Sequence, residues 1–478
     1  HRRYTNININ NNKSDSIGHE TIGQPTHFTH PHLLNKGELI KGITLEEFKL
    51  RRFKLSQLLP EGTCCVIMTP PEPMMSYDIP YHFRQQSNFY YFTGLNEPEA
   101  ILVVERLKGN DYRTTMFLRE KDAAREIWDG PRCGTKLATS IFGVDQAYDV
   151  KNTNKLIEVI KDSSDIFVNI NGGEWPAIVT ALSKQKISNF NIEKLLQYVR
   201  LIKSDAEIAM MEQSGGIAGD SFAELMRYIQ PGMNEHEVSA YFEYAIKRRG
   251  AQRMSYPPVV AGGNRANIIH YVANNMILKN GDLCLMDAGA EYWGFTSDIT
   301  RTFPVNGRFT QAQREVYEAV LDVNKRCIPL CVAGSSINKI HLQSVRFIVE
   351  SLQRLGILSS EKSVDELIKD GSYHKYYPHN IGHFLGMDTH DCPDVSYGET
   401  LANGMIITIE PGIYISDTDM DVDPKYRGIA IRVEDDVALT DNGPLVLTKN
   451  APKEVKDIES LMECCVELVF EDENSSTS

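Results

Sequence analysis

Two nine-residue segments of the same layout constrain this chain more than any other feature. Gly281-Asp-Leu-Cys-Leu-Met-Asp287-Ala-Gly289 and Gly404-Met-Ile-Ile-Thr-Ile-Glu410-Pro-Gly412 each set five residues between a leading glycine and a carboxylate, which x-Gly then follows. Leading glycines and carboxylates alike stand 123 positions apart. A two-helix pattern precedes each copy, over residues 205–250 and 310–356. Ser204-Asp-Ala-Glu207 and Asn234-Glu-His-Glu237 open the first pair with a Ser or Asn three residues ahead of a Glu, the reciprocal cap of a helix start. The prediction is a duplicated helix–helix–strand–strand unit, with its two acid-bearing strands set about a pseudo-twofold axis.

Each copy carries a further acid on its next predicted strand. Asp298 lies in Phe-Thr-Ser-Asp-Ile-Thr-Arg-Thr-Phe, and Glu434 in Gly-Ile-Ala-Ile-Arg-Val-Glu-Asp. Any one of these acids, taken alone, is more simply explained by pairing with Arg301, Arg432 or another cation. Four at repeat-related positions are harder to explain that way. Buried carboxylates must be paired, hydrogen-bonded or metal-bound, and multivalent cations are the natural neutralisers of four. Pro378-His379-Asn-Ile-Gly-His383-Phe-Leu-Gly-Met-Asp-Thr-His390 adds three histidines, and His270 follows Ala261-Gly-Gly-Asn-Arg-Ala-Asn. An imidazole among carboxylates suits Mn²⁺, Co²⁺, Fe²⁺ or Zn²⁺, whereas an all-oxygen set suits Mg²⁺ or Ca²⁺.

With 478 residues the chain should hold two or three domains. Residues 1–40 are expected as a disordered or extended lead, 41–195 as an α/β domain, 200–455 as the repeat-bearing catalytic domain, and 456–478 as an acidic tail. Residues 1–13 carry Arg2, Arg3 and Lys13 among many Asn, which fits either a transit-peptide remnant or an Asn-rich lead. In the first domain a capped helix is predicted from Thr44 through Phe53 and Leu58, with strands at 64–68, 89–93, 101–104 and 114–118. Fifty Lys and Arg against 64 Asp and Glu leave a net charge of −14, which argues against a nucleic-acid partner. No stretch approaches the ~20 apolar residues of a membrane-spanning helix. Nine scattered cysteines, with vicinal pairs at Cys64–Cys65 and Cys464–Cys465, form no metal or disulfide framework and read as idle thiols of a reducing compartment.

Five segments in order resemble the aminopeptidase P branch of the pita-bread metallopeptidases: Leu-Met-Asp287-Ala-Gly, Ser-Asp298-Ile-Thr-Arg-Thr-Phe, His379-Asn-Ile-Gly-His383-Phe-Leu-Gly-Met-Asp-Thr-His390-Asp, Ile-Glu410-Pro-Gly-Ile-Tyr and Arg432-Val-Glu434-Asp. Arg84-Gln-Gln-Ser-Asn-Phe-Tyr-Tyr-Phe-Thr-Gly94 with Glu97-Pro98 resembles that branch's amino-terminal domain. Gly23-Gln-Pro-Thr-His-Phe-Thr-His-Pro-His-Leu-Leu and Ile127-Trp-Asp-Gly-Pro-Arg132 are similar to its mitochondrial members, intermediate-cleaving relatives included.

The resemblance implies a mixed α/β (α+β) chain, an aminopeptidase P-like α/β domain followed by a pita-bread domain. It implies a metallo-aminopeptidase with two divalent ions, usually manganese. Asp287 would hold one ion, Asp298 and Glu434 would bridge both, and His383 and Glu410 would complete the set. His270 and His390 match positions that contact substrate and the tetrahedral intermediate. His379 matches a histidine of the substrate pocket or just outside the ligands, and Tyr414 and Arg432 match residues supporting the site. Glu410 is the expected general base, and His270 or His390 the expected donor to the oxyanion. The implied substrates are peptide or protein amino-termini with proline second, the implied location the mitochondrion, and the implied assembly an oligomer such as a homodimer. Two other readings stay open: a prolidase, which shares the metal set but cuts dipeptides, and a non-catalytic pita-bread binding protein.

Overall fold

A computed structural model describes residues 22–169 and 176–463, so the expectations for the first residues, for Cys464–Cys465 and for the last residues lie outside it. The chain divides into two compact units, His1–Val199 and Arg200–Ser478.

The first unit is built on a five-stranded sheet of β1 (Cys64–Met68), β2 (Ile101–Arg106), β3 (Tyr112–Leu118), β4 (Gln146–Asp149) and β5 (Ile166–Asn169), in the order β4-β3-β2-β1-β5. The inner pairs β1–β2 and β2–β3 are antiparallel, and both outer strands join in parallel. Strand β1 is buried at all five positions, as a continuous apolar run at a covered sheet centre should be. Helix α1 (Leu45–Leu58) starts where predicted, the Thr44 hydroxyl accepting from the Glu47 N–H. Its buried face carries two arginines. Phe53 and Leu58 are exposed, while Phe48, Arg51, Arg52 and Leu55 face inward. Arg52 is tolerated inside because its guanidinium donates to the carbonyls of Phe92, Phe142 and Gly143 at 2.8, 2.9 and 2.9 Å.

Two expectations are corrected here. The aromatic run at 89–93 is a helix, α2 (Ser87–Thr93), not a strand. Aromatic residues suit either state, and local capping decides. The Gln86 side chain accepts from the Phe89 N–H at 2.7 Å, and the Gly94 N–H closes on the Tyr90 carbonyl at 2.8 Å. Residues 22–40 are not an extended lead throughout: Gln24 donates to the Gly94 carbonyl at 2.9 Å, and Glu38–Ile40 pairs with Ile43–Thr44.

The second unit repeats one motif. Helices α3 (Asp205–Tyr228) and α4 (Glu235–Arg248), each with its reciprocal cap formed, precede the antiparallel sheet of β6 (Val259–Gly262), β7 (Leu283–Ala288) and β8 (Ile299–Pro304). Helices α5 (Gln311–Cys327) and α6 (Ile337–Arg354) then precede β9 (Ile406–Ile409), β10 (Gly412–Tyr414), β11 (Ala430–Arg432), β12 (Asp435–Thr440) and β13 (Gly443–Val446). Here the acid strand breaks between β9 and β10 at Glu410-Pro411, since proline has no N–H for the ladder. The copies join through β8 and β11: the Arg432 N–H donates to the Thr302 hydroxyl at 3.2 Å, that hydroxyl donates to the Arg432 carbonyl at 3.0 Å, and the Glu434 N–H donates to the Thr300 carbonyl at 3.1 Å. One apolar core runs under both copies. The expected acidic tail begins instead as helix α7 (Val455–Glu463), whose Ile458 and Met462 are buried in that core.

Candidate metal centre

The four repeat-related acids all sit at strand ends beside the join. Asp287 is near the end of β7, Asp298 just ahead of β8, Glu410 just past β9, and Glu434 between β11 and β12. Two glycines allow the close approach this needs. A Cβ at Gly289 would lie 1.8 Å from the Ser297 carbonyl oxygen, and one at Gly382 would lie 2.0 Å from that of Thr408. The first contact brings the chain beyond Asp287 against the residue preceding Asp298. The second lays the His383 loop along β9, where the His383 N–H donates to the Thr408 hydroxyl at 3.0 Å and the Glu410 N–H to the Ile381 carbonyl at 2.8 Å.

Ligand atoms of Asp298, His383 and Glu434, all three buried, lie within 4.8 Å of one another. Nε2 of His383 is 3.3 Å from Oδ2 of Asp298 and 3.8 Å from Oε1 of Glu410. Its Nδ1 lies 2.9 Å from the Phe384 carbonyl, a contact in which that nitrogen donates, which leaves the Nε2 lone pair for a metal. Asp287 stands to one side of this group. Its Oδ2 accepts from Nη2 of Arg432 at 2.6 Å, and its Oδ1 lies 2.5 Å from the Tyr256 hydroxyl, which also contacts Oδ1 of Asp298.

Electrostatics favour a cation at the cluster. Burial, joined by the neighbouring carboxylates, pushes Glu434 well above the usual carboxylate range and Glu410 up to about 7. Asp287 is also raised, by burial, despite Arg432. Burial works to raise Asp298 as well, but hydrogen bonding and charge from His383 outweigh it and hold the group low. Burial opposes a charge on His383, yet its hydrogen bond to Asp298 and the charge of Glu410 bring it up to about 9. Without a cation the cluster is therefore forced to take up protons, and a divalent ion relieves the same repulsion. One imidazole with several carboxylates fits a borderline first-row cation, and Asp287 and Glu410 flank the central three as further donors.

Around the acids, Arg432 is fully buried. Besides Asp287 it donates to the hydroxyls of Thr300 at 3.0 Å and Tyr414 at 2.9 Å. The Tyr414 hydroxyl also meets Nε2 of His379 at 2.9 Å, and Nδ1 of His379 lies 4.0 Å from Oε2 of Glu410. The His390 ring packs edge-on against His383, with centroids 4.5 Å apart. His270 is exposed, and charge on it helps lower the pKa of His379 and of His390, after the larger effect of burial on each. Sequence reasoning missed Tyr256, which links Asp287 to Asp298. It also missed Thr300, whose hydroxyl donates to Glu434 at 2.5 Å, and Asp436, which accepts the Asp298 N–H at 3.0 Å. Tyr256 had one signal, its place in Ser-Tyr-Pro-Pro just ahead of β6, whereas Thr300 lies in a quoted strand and Asp436 one residue past another, and both resemble ordinary strand residues.

A two-copy α/β unit with carboxylates and a histidine gathered at the join defines a metal-dependent hydrolase. Residues 209–441 match the model of metallopeptidase family M24, and residues 48–167 match that of the aminopeptidase P amino-terminal domain. The chain is 52% identical to Xaa-Pro aminopeptidase 3 of Dictyostelium discoideum, over 96% of its own length and 91% of the relative's. It is 38% identical to the mitochondrial intermediate cleaving peptidase 55 of Arabidopsis thaliana, over 92% and 87%. The solved structure of Escherichia coli aminopeptidase P with the inhibitor Pro-Leu superposes with a TM-score of 0.84 at 35% identity, covering 89% of this chain and 99% of that one. The chain belongs to metallopeptidase family M24, and it is a metallo-aminopeptidase with the amino-terminal aminopeptidase P domain and pita-bread domain that its motifs implied.

Proposed function

We propose that this chain is an Xaa-Pro aminopeptidase that removes the first residue of a peptide at a two-ion site held by Asp287, Asp298, His383, Glu410 and Glu434. The observation that carries the reading is the convergence of Asp298, His383 and Glu434 within 4.8 Å at the join of the two copies. When bound, the divalent ions supply Lewis-acid polarisation of the scissile carbonyl and activation of water at neutral pH. Manganese is the metal proposed. Glu410, a carboxylate beside the proposed place of the attacking water, is the residue proposed to take its proton and return it to the leaving nitrogen. His390 and His270 donate to the developing oxyanion. The acid-rich floor attracts the free α-ammonium, and Asp298 is the proposed direct contact. His379 and Tyr414 line the place of the second residue.

The proposal places the enzyme in mitochondria, supported by its likeness to the mitochondrial peptidase of Arabidopsis thaliana. It also includes a homodimer, supported by exposed apolar side chains on the Met74–Ser76 and Ile79–Pro80 hairpin.

Digestion of an Xaa-Pro-Xaa tripeptide beside the corresponding dipeptide tests the reading. Release of the first residue from the tripeptide is expected, and cleavage of the dipeptide alone makes the chain a prolidase. His390→Ala and His270→Ala should each keep the metal content of the parent and lower kcat by about 10²–10³-fold, the scale of one lost transition-state donor. Loss of an ion from either variant moves that histidine into the ligand set.

A further inference from the structure

The His390 side chain is oddly unsupported for a group that must meet a carbonyl oxygen. Among the described residues its ring makes no hydrogen bond, only the edge-on contact with His383. Its position therefore depends on the backbone that carries it. That backbone rests on a buried ionic cluster that contributes no proposed metal donor. Asp391, next in sequence, is 3% exposed; its Oδ1 accepts from Nη2 of Arg200 and its Oδ2 from Nζ of Lys203 at 3.2 Å. The same Nη2 donates to Oδ2 of Asp388 at 2.7 Å, so two cations and two carboxylates enclose the turn that ends in His390.

We propose that Arg200, Lys203, Asp388 and Asp391 act as a positioning strut that holds His390 over the reacting carbonyl. The proposal rests on the role given to His390 above. Lys203 is fixed in turn, its N–H donating to the Gly404 carbonyl at 2.8 Å, in the turn that leads to β9. The loop is closed from within by the Asp391 N–H on the Phe384 carbonyl at 2.9 Å, and from β8's side by the Thr296 N–H and hydroxyl on the Gly386 carbonyl at 3.0 and 2.8 Å. Two points of the loop are thus tied by neutral bonds, and its last residue by charge. Buried ion clusters add little net stability over apolar residues of the same volume. What this one supplies is a fixed site for Asp391, and through it for the adjoining imidazole. Displacement of a catalytic group by about 1 Å can cost up to ~10²-fold in rate.

Asp391→Asn leaves two buried cations facing a neutral amide and can fail to fold. Lys203→Met keeps Arg200 opposite Asp391, and Asp388→Asn changes a carboxylate whose side chain is 41% exposed. Each is made alone and with His390→Ala, and kcat, KM and metal content are measured. In the parent background either variant should lower kcat, Lys203→Met by about tenfold, with KM within twofold and the metals retained. In the His390→Ala background neither should lower kcat further, because the group they position is gone. Equal losses in both backgrounds, or loss of metal, overturn the strut while leaving the role of His390 intact. A His390→Ala enzyme with unchanged kcat overturns both.

Discussion

Asp298→Ala and Glu434→Ala should each abolish turnover, and Glu434→Ala should leave a protein at least as stable as its metal-free parent. Both acids belong to the central donor group, and each is assigned to bridge the two ions, so either loss takes a donor from both positions at once. The expected drop in kcat is on the order of 10⁴-fold or more, as when one member of a group that acts as a unit is deleted. The stability half of the expectation is the more diagnostic. Burial and the neighbouring carboxylates hold Glu434 well above the usual carboxylate range, so its removal relieves repulsion in the metal-free site, whereas removal of Asp298 also breaks its buried pair with His383 and should lower stability. Neither residue fills a large apolar volume, and the Asp298 N–H keeps its bond to Asp436. Thermal melts in chelator should therefore show no loss of Tm for Glu434→Ala and a loss for Asp298→Ala, whereas melts of either with added Mn²⁺ should lose the metal-dependent gain of the parent. Near-normal activity of either variant with saturating metal removes these two residues from the ligand set.

The sequence pattern carried the architecture of the second unit further than that of the first, for a physical reason. A duplication states its strands and helices twice, so each copy checks the other. Its acids stand out because a carboxylate in an apolar strand contradicts its surroundings. The first unit offers no such check. The Phe-Tyr-Tyr-Phe run of α2 has the composition of a strand, and only capping by Gln86 shows it to be a helix. Buried arginines on α1 escape an apolar pattern because their compensation comes from carbonyls 40 and 90 residues away. The candidate site divides along the same line. Asp298, His383 and Glu434 could be picked out by residue type, but their partners could not. Tyr256 reaches Asp298 across 42 residues, and Lys203 reaches Asp391 across 188. Nothing in a local window distinguishes such a tyrosine or lysine from one on the surface. Arg432 is the instructive intermediate. It was read first as a simple partner for an acid, and it is one, yet the same guanidinium also orders Thr300 and Tyr414 beside the metal donors.

Peptides that differ only at the second residue should be separated strongly, with kcat/KM higher for proline than for alanine by about 10–200-fold, the range one apolar pocket can supply. A tertiary Xaa-Pro amide has no N–H to donate and a ring that resists rearrangement, so a pocket that requires that donor rejects it. The side chains assigned to this position make no such demand. His379 packs edge-on against Tyr377 and Tyr414, with ring centroids 5.1 and 5.4 Å apart. Burial, helped by the charge of Arg432, pushes its pKa down to about 3, so the imidazole is neutral at working pH. Its Nε2 is engaged with the Tyr414 hydroxyl and its Nδ1 with the Asn380 carbonyl at 2.8 Å. The proposed wall is thus a neutral imidazole backed by buried tyrosine rings, with its polar atoms already satisfied, which suits the C–H surface of a pyrrolidine and gives a secondary amide nothing to bond. Alanine at the same position leaves that surface partly uncovered and its own N–H unpaired. The opposite outcome is removal of the first residue whatever follows it. In that case kcat/KM would be equal for the proline and alanine partners. Such a result would move selectivity away from His379 and Tyr414 while leaving the metal donors and their chemistry as assigned.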